Sequence, residues 1–270
     1  MRTLDTEEVK QIQLDILKGV DEWCRQNNLQ YFLGYGTLLG AVRHKGYIPW
    51  DDDIDIVMLR PDYERFLKEF NRDRKDNLQA LHASIDKDFP YEFAKVQDTR
   101  TKLVENTDIA YDIGINIDVF VMDAIDCDEK SLQRILRKGK IPKKVLSYKN
   151  MLGNGARRRT GIKKLGVAVI KSVCNMIPIY WCTSTIDSIA KASNRDENTW
   201  VGNVCERWFK PSEIMQKEWY DHSVEIEFEG NRFQAPEKYD EVLTAWYGDY
   251  MQLPPEEERV THHDYEAYQR

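Results

Sequence analysis

Apolar residues recur every three or four positions through TEEVKQIQLDILKGVDEWCRQN, residues 6–27, where Val9, Ile12, Ile16, Val20 and Trp23 share one side. That spacing predicts a helix packed on a core. Thr6 is the expected cap, and Glu7 and Glu8 suit the positive end of the helix dipole. A second helix is expected over PDYERFLKEFNRD, opened by Pro61 and Asp62, with Tyr63, Phe66, Leu67 and Phe70 on one side. Period-two patterns predict strands instead. Tyr31–Leu33 reads as a short strand, residues 37–45 as a short helix, and Ile54–Leu59 as a second strand. Residues 92–105 read as strand, turn, strand. In IGINIDVFV the residues Ile113, Ile115, Ile117, Val119 and Val121 fall on one face, and Asn116, Asp118 and Phe120 on the other. VEIEFEGNRFQAP reads as a hairpin turning at residues 229–232, and a helix follows around Tyr239–Trp246. The stretch YGDYMQLPPEEERVTHH is expected to be irregular, because Pro254 and Pro255 forbid a continuous helix.

Composition narrows the class. With 270 residues, 41% of them hydrophobic and 31% charged, the chain suits one large or two small globular domains. No stretch approaches the ~18 apolar residues of a membrane span. The polar, acidic start is not a secretory signal, so a cytoplasmic enzyme is expected. Five cysteines without C-x-x-C spacing argue for reduced thiols rather than a disulfide framework or a zinc ribbon.

The net charge of −7 hides a segregation. From Ser131 to Ile186 there is no Asp or Glu, yet this span holds thirteen Lys and Arg residues. Such a segment implies an anionic partner. Within it, Ile162, Leu165, Val169, Val173 and Met176 form a helical stripe opposite Lys164 and Lys171. Two readings stay open: a peripheral membrane helix facing anionic lipid, or a core helix with a solvated lysine face. Nucleic acid is excluded as a partner, because the chain is acidic overall and aromatic residues are not interleaved with the basic run.

The densest chemistry lies in YFLGYGTLLGAVRHKGYIPWDDDIDIVML, residues 31–59. Alternation places Asp51, Asp53 and Asp55 on one face and Asp52 on the other, structural or solvated. Ionised carboxylates this close raise each other's pKa unless a cation lies between them. Magnesium suits such a pair, because it takes few carboxylates and completes its shell from water and phosphate. Asp118 is the best third acid from another strand; Asp112 and Asp123 are weaker. The spacing is not that of an EF-hand. Around Gly34-Tyr35-Gly36-Thr37, small residues and a helix N-terminus would let backbone N–H groups approach a phosphate. Arg43, His44 and Lys45 then offer charge for phosphate oxygens.

The run Gly36-Thr37-Leu38-Leu39-Gly40-Ala41-Val42-Arg43-His44-Lys45-Gly46-Tyr47-Ile48-Pro49-Trp50-Asp51-Asp52-Asp53-Ile54-Asp55 resembles the fingerprint of the LicD family, in the nucleotidyltransferase superfamily. The resemblance continues at Lys95 in FAKVQDTRT, at Asp118 in NIDVF and in YGDYMQLPP…RVTHH. It implies an α+β fold, a nucleotidyltransferase-like mixed β-sheet flanked by helices with a basic helical insertion. The expected division is a core over residues 1–130, the insertion over 131–186, and a C-terminal part over 187–270 that completes the active site.

The implied activity moves a phosphorylated alcohol, foremost phosphocholine from CDP-choline, onto a sugar hydroxyl of a cell-surface glycan or its lipid-linked precursor, with release of CMP. In that scheme Asp53 and Asp55 bind Mg²⁺, or Mn²⁺. Asp118 holds a second metal or takes the hydroxyl proton. Backbone N–H groups near Gly36 and Thr37 hold phosphate oxygens, and Arg43 and Lys95 neutralise charge on the leaving group. The resemblance also favours His262, His263 and His44 as site residues, the first two against the alternative of an exposed tail. Trp50 either stacks on a base or choline or simply packs, and Tyr247 and Asp249 are further suspects. A metal-dependent glycosyltransferase and a non-catalytic membrane-surface assembly protein are the competing readings.

Overall fold

The computed structural model describes residues 1–74, 76–105, 111–150, 162–260 and 265–270, without side chains at 162–165 and 212. Strand β1 (Arg2–Thr3) leads into α1 (Thr6–Gln26). Asp5, not Thr6, caps α1. Its carboxylate accepts from the Glu8 N–H at 2.9 Å, and Glu8 accepts in return from the Asp5 N–H at 3.0 Å, so two otherwise orphaned donors are met reciprocally. Then come β2 (Phe32–Leu33), α2 (Tyr35–His44), β3 (Asp55–Leu59), α3 (Arg60–Asp73) and β4 (Leu78–Leu81). Next are β5 (Ala94–Asp98), β6 (Thr101–Glu105) and β7 (Asn116–Ile125).

The main sheet runs β2-β3-β7-β5-β4. β3 and β7 are parallel, and the other neighbours along this path are antiparallel. Ile56 and Met58 register against Val119 and Val121, and all four are buried. Helices α1 and α3 lie on one side of the sheet, where Trp23 meets Phe66 and Phe70 edge-on at 5.6 and 5.3 Å. The expected strand–turn–strand at 92–105 has its strands, but they separate: β5 joins the main sheet, whereas β6 pairs with β12 (Tyr265–Gln269). β1 pairs with the other edge of β12.

Between β7 and β8 (Trp200–Gly202) lie α4 (Glu129–Lys149), α5 (Ile162–Asn175) and α6 (Ile179–Ser193). Both α5 and α6 pack on α4. A buried ion network ties α6 to the sheet. Arg60, at the start of α3, grips Asp123 of β7 at 2.7 and 2.9 Å and Asp187 of α6 at 2.7 Å. Asp123 is thereby structural, and Asp112 pairs with Arg270 at 2.8 Å; neither belongs to the acidic site.

β8 pairs with β7 and with β9 (Met215–Gln216). The hairpin β10 (Ser223–Phe228) and β11 (Asn231–Pro236) turns through only two residues, Glu229 and Gly230, at φ 49° and 68°. Both values are left-handed, which matches the twist of a tight hairpin and places Asn231 and Arg232 in β11. Helix α7 (Tyr239–Tyr247) follows. Among the described residues between α7 and Val260 the chain is irregular except for a 3₁₀ turn at Glu256–Glu258, as Pro254 and Pro255 predict.

Candidate active site

Asp55 opens β3 directly opposite Asp118 on β7, and Asp118 lies opposite Lys95 on β5. In-register neighbours project to the same face, so two acids and a lysine stand in one row across three strands. The Lys95 ammonium donates to Asp118 Oδ1 at 2.5 Å and to Asn116 Oδ1 at 3.0 Å. It is 6% exposed and sits 4.7 Å from the Tyr91 ring centroid and 5.5 Å from that of Phe93. Burial works against its charge, but Asp118 and Glu105 outweigh burial and raise its pKa. Lys95 therefore holds Asp118 within the row.

Asp55 is also buried. Its carboxyl is pushed well above the ordinary range, first by burial and then by Asp53, Asp118 and Asp51; Lys95 only partly opposes this. The expected gathering of Asp51, Asp53, Asp55 and Asp118 is thus present as an electrostatic cluster. Of the two alternatives for Asp52, structural or solvated, the structure shows the first: it is buried, and Tyr265 of β12 hydrogen-bonds to it. Gln13 of α1 also escapes sequence reasoning, because a glutamine in a helical pattern reads as surface. It is buried, and its amide donates to the Asp52 carbonyl at 3.1 Å and the Asn116 carbonyl at 3.4 Å. That side chain staples the acidic loop to the entry of β7.

The glycine-rich turn is tighter than predicted. α2 begins at Tyr35, so the turn forms its first residues, and Gly34 offers no side-chain cap to the leading amides. A Cβ on Gly36 would come within 2.5 Å of Asp51 Oδ2, so Gly36 makes room for a carboxylate of the cluster. Tyr35 holds a left-handed φ of 41°, unusual for a tyrosine. It is clamped by stacking on Trp246 at 4.5 Å and by the Asn203 amide, which donates to its hydroxyl at 3.0 Å. The Thr37 hydroxyl accepts the Asp55 backbone N–H at 2.8 Å, so the group Thr37 offers a phosphate is its own backbone N–H in the first turn of α2.

The later motif glycines serve packing. A Cβ on Gly40 would meet the Gly46 carbonyl at 2.4 Å. One on Gly46 would meet Glu229 Oε1 at 2.0 Å, the same oxygen that accepts the Tyr47 N–H at 3.0 Å. Lys45 is solvent-exposed and ends α2 in a left-handed conformation at φ 62°.

The C-terminal segment closes the rim. Arg43 donates from Nη1 to the Tyr250 carbonyl at 2.9 Å and from Nε to His44 Nε2 at 2.9 Å. Burial and Arg43 both hold His44 below its usual pKa. The Arg259 guanidinium lies 5.6 Å from the Trp50 ring centroid, so Trp50 is engaged by the tail. The Tyr247 phenol is raised by burial and then by Asp55, Asp51 and Asp53, which places its hydroxyl in the field of the cluster. His262 and His263 lie outside the described residues.

Among the described residues, no three His, Cys, Asp or Glu side chains form a group that could hold a metal alone. The donor chemistry nonetheless fits a hard divalent cation: carboxylate oxygens with a buried excess of negative charge at Asp55. Magnesium takes only one or two protein carboxylates beside water and phosphate oxygens. Asp53 and Asp55 meet that demand, while Lys95 already occupies one oxygen of Asp118.

Residues 28–134, which contain this row and the turn before it, match the family model described as LicD/FKTN/FKRP, nucleotidyltransferase domain. Along 275 aligned residues the chain is 31% identical to the lipopolysaccharide cholinephosphotransferase LicD of Haemophilus influenzae, covering 99% of each protein. Shorter matches reach uncharacterized proteins of Rickettsia prowazekii, 41% over 69 residues, and Rickettsia typhi, 42% over 60 residues. These cover 22% and 21% of this chain and 26% and 19% of the respective relatives. The end-to-end match makes this chain a member of the LicD family.

Proposed function

We propose that this protein transfers phosphocholine from CDP-choline to a sugar hydroxyl of a lipopolysaccharide-like glycan and releases CMP. The observation that carries the reading is the Asp55–Asp118–Lys95 row, set within a chain that aligns end to end with a lipopolysaccharide cholinephosphotransferase. The acceptor oxygen attacks the phosphorus bearing choline. A new P–O bond forms, the bond to the bridging oxygen breaks, and CMP departs with that electron pair.

The residues divide this work. Asp118, oriented by Lys95, accepts the hydroxyl proton. The uncapped amides that open α2 hold phosphate oxygens, beside Gly36. Arg43, at the rim, answers the charge that grows on CMP. His44 and Tyr247 line the approach. Asp53 and Asp55 would hold Mg²⁺ (or Mn²⁺), whose charge would offset that of the donor pyrophosphate and the buried carboxylates.

A donor panel tests this reading: CDP-choline, CDP-glycerol, CDP-ribitol, UDP-glucose and GDP-mannose, each with Mg²⁺ and a lipopolysaccharide acceptor. The expected result is CMP release and a phosphocholine mass added to the glycan with CDP-choline. Preference for CDP-glycerol or CDP-ribitol would overturn the choline assignment but keep the transferase. Release of UDP or GDP would make the protein a glycosyltransferase. No turnover and no heat stabilisation by any CDP-alcohol would leave a non-catalytic member of the family.

A further inference from the structure

The described part of the expected apolar stripe of α5 faces solvent. Val169 and Val173 are each 56% exposed and Met176, just beyond the helix, is 84% exposed. Among the described side chains of α5 the buried ones are Val167 and Cys174. At roughly 100° per residue, these two project almost opposite the Val169–Val173–Met176 stripe. α5 therefore packs through a narrow inner edge and turns its more apolar side outward. This contradicts the alternative of a core helix with a solvated lysine face. Just past the bend, in α6, Tyr180 is 38% and Trp181 42% exposed. Soluble monomers seldom gather exposed apolar side chains in one short stretch unless they bind something.

We propose that the α5–α6 elbow docks this enzyme on a membrane surface rich in anionic phospholipid. Three observations select lipid as the occupant. The first is charge: from Ser131 to Ile186 the chain has thirteen basic residues and no acid. On α4, which supports the elbow, Arg134, Arg137, Lys138, Lys140 and Lys144 are exposed. Basic residues near an anionic surface contribute about 1 kcal/mol each.

The second is length and bend. Among the described residues no single helix is long and apolar enough to cross a bilayer. Residues Gly166–Asn175 and Ile179–Ser193 reach the hydropathy of a span only together, and they are bent by 81°. α5 has 14 residues, about 21 Å of helix against a hydrocarbon core of about 30 Å. A helix of that size with one apolar side lies in the interface. The third is the aromatic pair at the bend, Tyr180-Trp181, a residue type that settles at headgroup depth.

The elbow is also anchored from behind. Asp187 of α6 bonds Arg60 at 2.7 Å and Lys191 at 2.8 Å, and Lys191 reaches Glu64 of α3 at 3.0 Å. Docking at the elbow would thus orient the sheet, and with it the acidic row, relative to the lipid. The inference rests on this surface alone and holds whichever donor the enzyme uses.

The test is flotation of the full-length protein with phosphatidylcholine vesicles, with and without phosphatidylglycerol. The wild type should float only with phosphatidylglycerol and should be partly released by salt. The V173D/M176D variant changes two exposed side chains; it should lose at least roughly tenfold of the bound fraction, since it places two charges where apolar side chains would enter the lipid. Its thermal melting should match the wild type, and vesicle binding is read without turnover, so the outcome is separate from the donor assignment. Failure to float, or equal flotation of variant and wild type, would overturn the proposal. So would a wild-type dimer in light scattering that V173D/M176D converts to monomer, which would identify a second copy as the occupant.

Discussion

The hydroxyl of Thr37 accepts the backbone N–H of Asp55 at 2.8 Å, joining the first turn of α2 to the first residue of β3. This bond fixes the spacing between the amides that open α2 and the buried carboxylate. Thr37→Val keeps the shape but removes the acceptor and leaves a buried N–H unmet, at about 1–3 kcal/mol. Stability should fall by that amount in urea titration, and CMP release should fall at least about tenfold, because misplacement alone is expensive in a positioned site. Thr37→Ser keeps the oxygen and should recover most of the activity.

Asp55 should behave as a residue kept for chemistry at the expense of stability. Burial, Asp53, Asp118 and Asp51 raise its folded-state pKa above the unfolded value. A group so shifted contributes fully below its unfolded pKa and loses that contribution as pH rises through the folded one. At neutral pH the fold therefore carries a net penalty from this carboxylate. Asp55→Asn should raise the melting temperature in EDTA while abolishing turnover. Added MgCl₂ should stabilise the wild type more than the variant. Parallel melts with and without metal read both effects, and equal metal stabilisation of the two proteins would count against Asp55 as a ligand.

Arg60 holds the opposite kind of buried charge, fully partnered and remote from the acidic row. Arg60→Met strands Asp123, which is 0% exposed, and should destabilise the protein by about 3–5 kcal/mol in urea titration. The double change Arg60→Met with Asp123→Asn removes both charges and should recover much of that loss.

The site was legible in sequence where pattern and chemistry coincide. Period two placed Asp118 on the polar-facing side of INIDVF, and β7 presents it opposite Asp55 across more than sixty residues of chain. The long helices were legible because their cores are periodic: Val9, Ile16, Val20 and Trp23 are all buried. Strands β8, β9 and β12 were not, because two to five residues carry too little periodicity and owe their form to the partner strand. The part played by Gln13 was not legible, and the choice between a structural and a solvated Asp52 stayed open, because polar side chains read as surface until their buried partners are known. The wheel of α5 found the right stripe, yet hydrophobicity alone cannot say whether protein or lipid covers it.

Glu206 supplies a pH test away from the acidic row. Burial and then Glu92 push its carboxyl up to about 7 from 4.5. The folded protein keeps this proton longer than the unfolded chain, so the contribution is full below the unfolded pKa and is lost as pH rises through about 7. Glu206→Gln cannot ionise, yet its amide oxygen can still accept the Trp208 N–H that now reaches Oε2 at 2.6 Å. Between about pH 5 and 8, urea midpoints should decline more in the wild type. Allowing for partial exposure, the gap should reach about 1–2 kcal/mol at the upper end. Parallel curves would place the titration elsewhere.

Gly36 and Asp51 give the last prediction, because each constrains the other. A methyl on Gly36 would sit 2.5 Å from Asp51 Oδ2, inside any allowed contact. The carboxylate must then move, and it moves within a cluster that already sets the ionisation of Asp55. Gly36→Ala alone should lower CMP release by at least about tenfold through this displacement, since small shifts of positioned groups carry large rate penalties. In an Asp51→Gly background the obstructing oxygen is gone, and the same change should have little further effect. A double-mutant cycle on CMP release reads the difference, with an expected coupling of about 0.5–3 kcal/mol. Strict additivity would show that Gly36 matters for reaching phosphate with its backbone, as the sequence alone suggested. Strong coupling would show instead that this glycine seats Asp51 within the acidic cluster.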